Sequence, residues 1–191
     1  MLFSSIIALI LSSLVPGDAI VIRSTNYREL NDTLFVIADT TAELPYIGRI
    51  NVSEITEESL RSFFIDTYSK YLKEPDLAVF VLYRISILGR VNKPGIYYVP
   101  PFAGLGDILA MSGGPLPDAL LGSIKVYSNG KYRKVNFEKS VKESLNIKDL
   151  KISSGTVIEV PKKYTINLDD IYKFAATAGI LWSIYSDVLI D

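Results

Sequence analysis

The sequence predicts an α+β chain in which short strands dominate and helices are few. Short apolar runs rich in β-branched residues recur between residues 19 and 160, bounded by Gly, Pro, Asn and Asp. The longest internal stretch that repeats apolar residues at spacings of three and four runs from Leu60 to Tyr71. After residue 167 the pattern changes again, to an almost unbroken apolar run of helical length.

Bulk properties narrow the field before any motif is considered. The 191 residues allow one or two small domains. A hydrophobic content of 49% supports a real core and leaves apolar residues over for a membrane. A net charge of −1 with no Lys/Arg cluster argues against a nucleic-acid partner. Cysteine and histidine are both absent from the sequence. Thiol and imidazole nucleophile systems and the usual zinc sites therefore have no ligands or bases, and neither a metal nor a cofactor is expected. Without cysteines, disulfide usage says nothing about the compartment.

Met1 to Leu14 is an apolar segment too short to span a bilayer. It reads as the apolar part of a secretory signal, with Ser12 and Ser13 near the cleavage point, although no positive charge precedes it. The competing reading is a buried N-terminal strand or helix. No cysteine follows that could accept a lipid. Val15-Pro16-Gly17-Asp18 then makes a turn, with Asp18 bonding backbone N–H groups, and Ala19–Arg23 is a strand. Leu34–Ala38 is the next strand.

Thr56 is placed to cap a helix, with Glu57 and Glu58 in the first turn where the dipole favours acids. Leu60, Phe63, Phe64, Thr67, Tyr68 and Tyr71 form its apolar face. Such an aromatic stripe resembles a sugar-stacking platform, but core packing explains it more simply. Pro75 is expected to end the helix, and Leu77–Tyr83 reads as a buried strand.

The stretch Ile87–Gly114 organises the rest. An apolar strand runs into Lys93-Pro94-Gly95, where Pro94 fixes the first corner of a turn and Gly95 is expected to supply positive φ at the second. Ile96–Val99 resumes as a strand, and Pro100-Pro101 stops it. A short helix follows with Leu105, Ile108, Leu109 and Met111 on its apolar side, ended by Gly113-Gly114. A hairpin with one helix laid across it is the opening of a β-grasp-like unit. Asn129-Gly130 marks a second hairpin between Ile124–Tyr127 and Tyr132–Val135. Phe137–Leu150 reads as a polar connection, and Val157–Val160 as a closing strand.

From Ile171 to Ile190 the only charges are Lys173 and Asp187. Asn167 caps this helix, which spans residues 168–191, and twenty helical residues cover about 30 Å, the hydrocarbon thickness of a bilayer. Lys173, Thr177 and Asp187 share one stripe, the candidate pore-facing side. Phe174, Leu181, Trp182, Tyr185 and Leu189 lie on the broad opposite face, the candidate lipid-facing side. Two readings compete: a simple anchor whose end charges snorkel, and a helix that spans only in a ring with its polar stripe facing water.

Two motifs carry a family resemblance. Gly89, Val91, Pro94, Gly95 and Tyr97, then Ala110, Gly113 and Gly114, resemble the soluble-ligand-binding β-grasp (SLBB) domain. Residues 39–56 are similar to the export-domain pattern D-G-x-I-x-L-P-x-L-G-x-I-x-V-x-G-x-T, matching at Asp39, Leu44, Pro45, Gly48, Ile50, Val52 and Thr56. Thr40, Ala42 and Glu54 depart from it, which removes two turn glycines. Pro16, Gly17 and Asp18 match the turn that opens the same domain. Val157–Pro161 looks like the closing strand of the SLBB unit, with Thr156 where aspartate is usual. The chain thus resembles a short bacterial outer-membrane polysaccharide export protein.

That resemblance implies an export domain over residues 15–83, an SLBB β-grasp domain over 84–162 and a C-terminal amphipathic or transmembrane helix. It implies a secreted, non-enzymatic subunit of a homo-oligomeric ring, eight helices in the family's outer-membrane α-barrels, that conducts capsular polysaccharide or exopolysaccharide. The family's usual partner is an inner-membrane co-polymerase, often a tyrosine autokinase. The expected location is the periplasm and outer membrane, with inner-membrane anchoring as the variant. The alternative is a membrane-anchored SLBB module that binds a glycan or other soluble ligand without forming a pore. Catalysis by the carboxylate pairs Glu57-Glu58 or Asp169-Asp170 is disfavoured, because adjacent helical residues point apart.

Overall fold

In the computed structural model, residues 14–128 and 130–163 are described, together with Ala176. Residues 14–161 belong to one compact unit, and Lys162 begins a second. The chain enters through the Val15–Asp18 turn, where Gly17 adopts φ 97° and the Val15 N–H donates to Asp18 Oδ2 at 3.0 Å. Ala19–Ser24 (β1) follows, with Ile20 and Ile22 fully buried. Asp32–Phe35 (β2) pairs antiparallel with it. This strand stops short of the expected Ala38. The Val36 N–H turns to Asp18 O and the Ile37 N–H to Thr41 O, so the backbone leaves the ladder there.

Thr41–Leu44 (β3) and Gly48–Asn51 (β4) form a separate two-stranded hairpin. Glu57–Tyr68 (α1) starts where the sequence places it. Thr56 Oγ1 accepts from the Ser59 N–H, and Ser59 Oγ accepts from the Thr56 N–H in return. Its buried face is Leu60, Phe64 and Tyr68. Tyr71 lies beyond the helix and is 70% exposed, so it does not join that face. The helix also ends well before Pro75, at Ser69, whose amide and hydroxyl both bond to Ile65 O.

Leu77–Gly89 (β5) is the axis of the molecule. The expected strand ending at Tyr83 instead continues for thirteen residues in all. Its first part pairs with β1 over Leu77–Leu82 and its second with Gly95–Val99 (β6) over Tyr83–Ile87. It is half-buried rather than buried throughout, with Phe80 43% exposed. Ile124–Ser128 (β7) and Lys131–Val135 (β8) form the second hairpin, closed through Gly130 at φ 71°. Val157–Val160 (β9) runs parallel to β5 and antiparallel to β7, inserted between them. The sheet order is β2-β1-β5-β9-β7-β8, with β6 also on β5, giving one seven-stranded mixed sheet.

Two cores flank β5. One gathers Ile20, Ile22, Leu44, Leu60, Phe64 and Val81 beneath α1. The other packs Leu105–Met111 (α2) and the segment after Phe137–Lys142 (α3) against Ile85, Ile87, Val126 and Ile158. Tyr83 borders both. Ile147 and Leu150 belong to the second core although Phe137–Leu150 reads as a polar connection, and Ile152 just beyond it joins them. Met111 is 44% exposed, so the apolar side of α2 is Leu105, Ile108 and Leu109 alone. Gly95 is also corrected: it sits in β6 opposite Ile87, and Gly89, at φ 87°, supplies the left-handed backbone before the loop. Among the described residues, no helix is long and apolar enough to cross a membrane.

Candidate functional site

The junction along β5 concentrates the polar contacts between the two halves. Glu57, the first residue of α1, accepts from the Tyr83 hydroxyl at 3.2 Å and pairs with Lys148 Nζ at 2.9 Å. One carboxylate thereby links the helix, the shared strand and the second half. Burial and the neighbouring Glu57 charge push the Tyr83 hydroxyl well above its ordinary pKa. Next along β5, the Arg84 N–H donates to Ser154 Oγ at 3.2 Å and its carbonyl accepts from the Gly155 N–H at 2.8 Å.

Asp18 completes this junction and is 2% exposed. Its Oδ1 and Arg84 Nε are both buried without a well-formed hydrogen bond. Burial raises the Asp18 carboxyl above its usual value, opposed by the Ser154 hydroxyl, the Val15 and Arg84 amides and the Arg84 guanidinium. Gly17 is required here, because a Cβ would sit 2.7 Å from Arg84 Nε. The arrangement can hold two domains in register, and its Asp18 carboxyl is buried away from solvent.

The motif residues act as clamps. A Cβ on Gly89 would collide with the Val160 carbonyl of β9. Asn92 Nδ2 donates to Gly113 O at 2.7 Å, the Asn92 N–H to Gly114 O at 3.0 Å, and the Lys93 N–H to Ser112 O at 2.8 Å. Gly113 and Gly114, at φ 77° and 83°, shape the end of α2 so that it can take these bonds. Pro94 precedes β6, and the Tyr97 hydroxyl closes the same loop on Lys93 O at 2.6 Å. Val91 bridges Pro115.

In the first half, Asp39 accepts from the Thr41 hydroxyl at 2.6 Å and pairs with Arg49 at 3.4 Å. The Thr41 hydroxyl chiefly holds its carboxyl below the usual range. Pro45 O accepts from the Tyr68 hydroxyl at 3.1 Å, which ties hairpin β3–β4 to α1. Gly48 adopts φ 87°. Pro16 lies in the entry turn ahead of Gly17. A groove of about 1110 Å3 runs between β2 and this hairpin, lined among others by Glu29, Phe35, Glu43 and Tyr46.

Among the described residues no acidic cluster is placed to hold a metal ion. The candidate pore-facing Lys173, Thr177 and Asp187 and the candidate lipid-facing Phe174, Leu181, Trp182, Tyr185 and Leu189 lie outside the described residues, as do Met1–Ser13. Sequence reasoning missed Arg84, Ser154, Tyr83 and Lys148. The only local sign was that Tyr83-Arg84 interrupts an apolar run where two motif regions meet.

Two cores share one strand, and the motif residues are spent on clamping backbone. Comparison with known families sharpens this. Residues 12–82 match the family model described as polysaccharide biosynthesis/export protein. Residues 84–136 match the SLBB domain. The chain belongs to the polysaccharide export proteins, with one export domain followed by one SLBB domain.

Proposed function

We propose that this chain is a subunit of an oligomeric conduit that carries capsular polysaccharide or exopolysaccharide across the cell envelope. The observation that supports this most is the fusion of the export and SLBB domains along the single strand β5. A continuous strand, a buried Asp18 and the Glu57–Lys148 pair across the junction leave little freedom between the halves. A ring wall needs such blocks, because each subunit must meet its neighbours at a fixed angle for the ring to close.

In this reading the two domains face the periplasm. The segment 168–191 enters the outer membrane with Lys173, Thr177 and Asp187 towards a wet lumen. Weak polar contacts there let a hydrated glycan pass without being held. The chain carries out no reaction, and an inner-membrane co-polymerase supplies the polymer. The segment before Leu14 serves as the secretion signal. Leu14 itself is 4% exposed within the first core, so cleavage is expected at or before Ser13.

The test is the mass of the full chain extracted in mild detergent. A discrete multi-subunit ring is expected. A monomer would instead favour an anchored binding module and would sink the conduit.

A further inference from the structure

Among the described residues, one face of the second half's sheet is packed and the other is open. On β5, Ile85 and Ile87 point into the core, so Arg84, Ser86 and Leu88 share the opposite face. The same alternation puts Val157 and Glu159 of β9, Lys125 and Tyr127 of β7, and Tyr132 and Lys134 of β8 on that face. Five strands in the order β6-β5-β9-β7-β8 make it roughly 19 Å wide at about 4.8 Å per strand.

Its chemistry is ordered along that width. At the centre, Glu159 accepts from Lys125 Nζ at 3.1 Å and from the Tyr127 hydroxyl at 2.7 Å. Beside it a depression of about 570 Å3 is lined by Leu88, Gly89, Val157, Tyr127 and Glu159. Aromatic pairs stand at the two ends. Tyr127 and Tyr132 lie 5.4 Å apart between ring centroids, and Phe35 from the first half meets Tyr98 edge-on, also at 5.4 Å. Leu88 is 46% and Tyr132 57% exposed.

The composition favours one kind of occupant. The centre of a protein–protein interface is depleted in charge, whereas this centre is an ion pair held on rigid strands. An occupant must satisfy Lys, Glu and Tyr hydrogen bonds there while laying apolar faces on rings to either side. A chain of sugar rings does both. Lys125 is balanced by Glu159, and Lys134, exposed beside Tyr132 and with no ion-pair partner among the described residues, leaves the face with a positive excess. That excess matches negative charge on the occupant.

We propose that the open sheet face binds a segment of acidic polysaccharide, with sugar rings on Tyr127 and Tyr132 and carboxylates towards Lys134 and Lys125. The inference deepens the export reading and rests on it for the source of the glycan. The test measures binding of alginate oligomers and of neutral dextran to the full chain in detergent by calorimetry. Tyr132→Ala and Lys134→Ala are the face variants, and both side chains are exposed, so folding is undisturbed. Tyr71→Ala, at an exposed position outside the face, is the control.

Alginate should bind, weaken with added salt, and bind at least about tenfold more tightly than dextran. Each face variant should weaken it by about fivefold or more, and Tyr71→Ala should leave it unchanged. No alginate binding, equal dextran binding, or face variants that bind like the parent would overturn the proposal. So would face variants that keep alginate binding but lower the oligomer mass, since the face would then join copies of the chain. Surface polysaccharide in cells carrying the face variants separates the two ideas. If deleting the whole gene leaves it unchanged, the export reading fails, whatever alginate does in the calorimeter.

Discussion

Hairpin β3–β4 and the β5–β6 connection meet the same steric problem with different residues. Both need backbone in the left-handed region. The connection uses Gly89 at φ 87°, with Gly113 and Gly114 closing against it. The hairpin keeps Gly48 at φ 87° but also places two non-glycine residues in that region, Thr40 at φ 58° and Tyr46 at φ 63°. Thr40 stands where the export pattern has glycine, and it adopts the left-handed backbone itself. A β-branched residue held at positive φ carries strain that glycine would not. Space decides which is tolerated. A Cβ at Gly89 would run into β9, whereas Thr40 is partly exposed on a hairpin.

Gly89→Ala should have the largest effect. The collision with the Val160 carbonyl is with backbone of the central strand, so relief requires parting β5 from β9. A loss of about 3 kcal/mol or more is expected in chemical denaturation, enough to leave much of the chain unfolded. A loss under about 1 kcal/mol would show that the close approach is not limiting.

The reciprocal change is smaller and opposite in sign. Thr40→Gly relieves a β-branched residue in the left-handed region and should stabilise by about 1 kcal/mol, reduced somewhat by the added freedom of the unfolded chain. Tyr46→Gly should gain similarly, because its ring is 80% exposed and little packing is lost. Destabilisation by Tyr46→Gly would mean that this ring packs against something in the assembled protein.

The smallest effect is a pH slope that contrasts two aspartates. Burial raises the Asp18 carboxyl above 3.8, so between that value and its folded pKa the native state holds more protons than the unfolded one. This group therefore makes stability fall as pH rises through that window. Asp18→Asn should flatten the slope. Asp76, held at about 2 chiefly by the Ser24 hydroxyl, acts the other way. Its contribution is present above 3.8 and is lost as pH falls towards about 2. Denaturation midpoints measured across acid pH in the two Asn variants distinguish these signs.

Local chemistry was legible in the sequence, and long-range pairing was not. The Pro16-Gly17-Asp18 turn, the Thr56 cap, the second hairpin and the Gly113-Gly114 stop all follow from residues within a few positions of each other. Nothing local shows that β5 continues through Arg84 and Ser86. Polar residues on its open face interrupt the apolar run where the export domain gives way to the SLBB domain, so one strand reads as two. Ile147, Leu150 and Ile152 were hidden because isolated apolar residues in a polar segment have no periodicity to detect. The insertion of β9 between β5 and β7 joins residues some seventy positions apart, as at Ser86 and Val157. The open sheet face became visible only once that register was known.

Removing residues 164–191 and measuring polysaccharide at the surface of cells that make only the truncated chain tests the conduit itself. The two domains should fold and accumulate, while surface polysaccharide is lost. Surface polysaccharide at the level supported by the full chain would contradict the conduit.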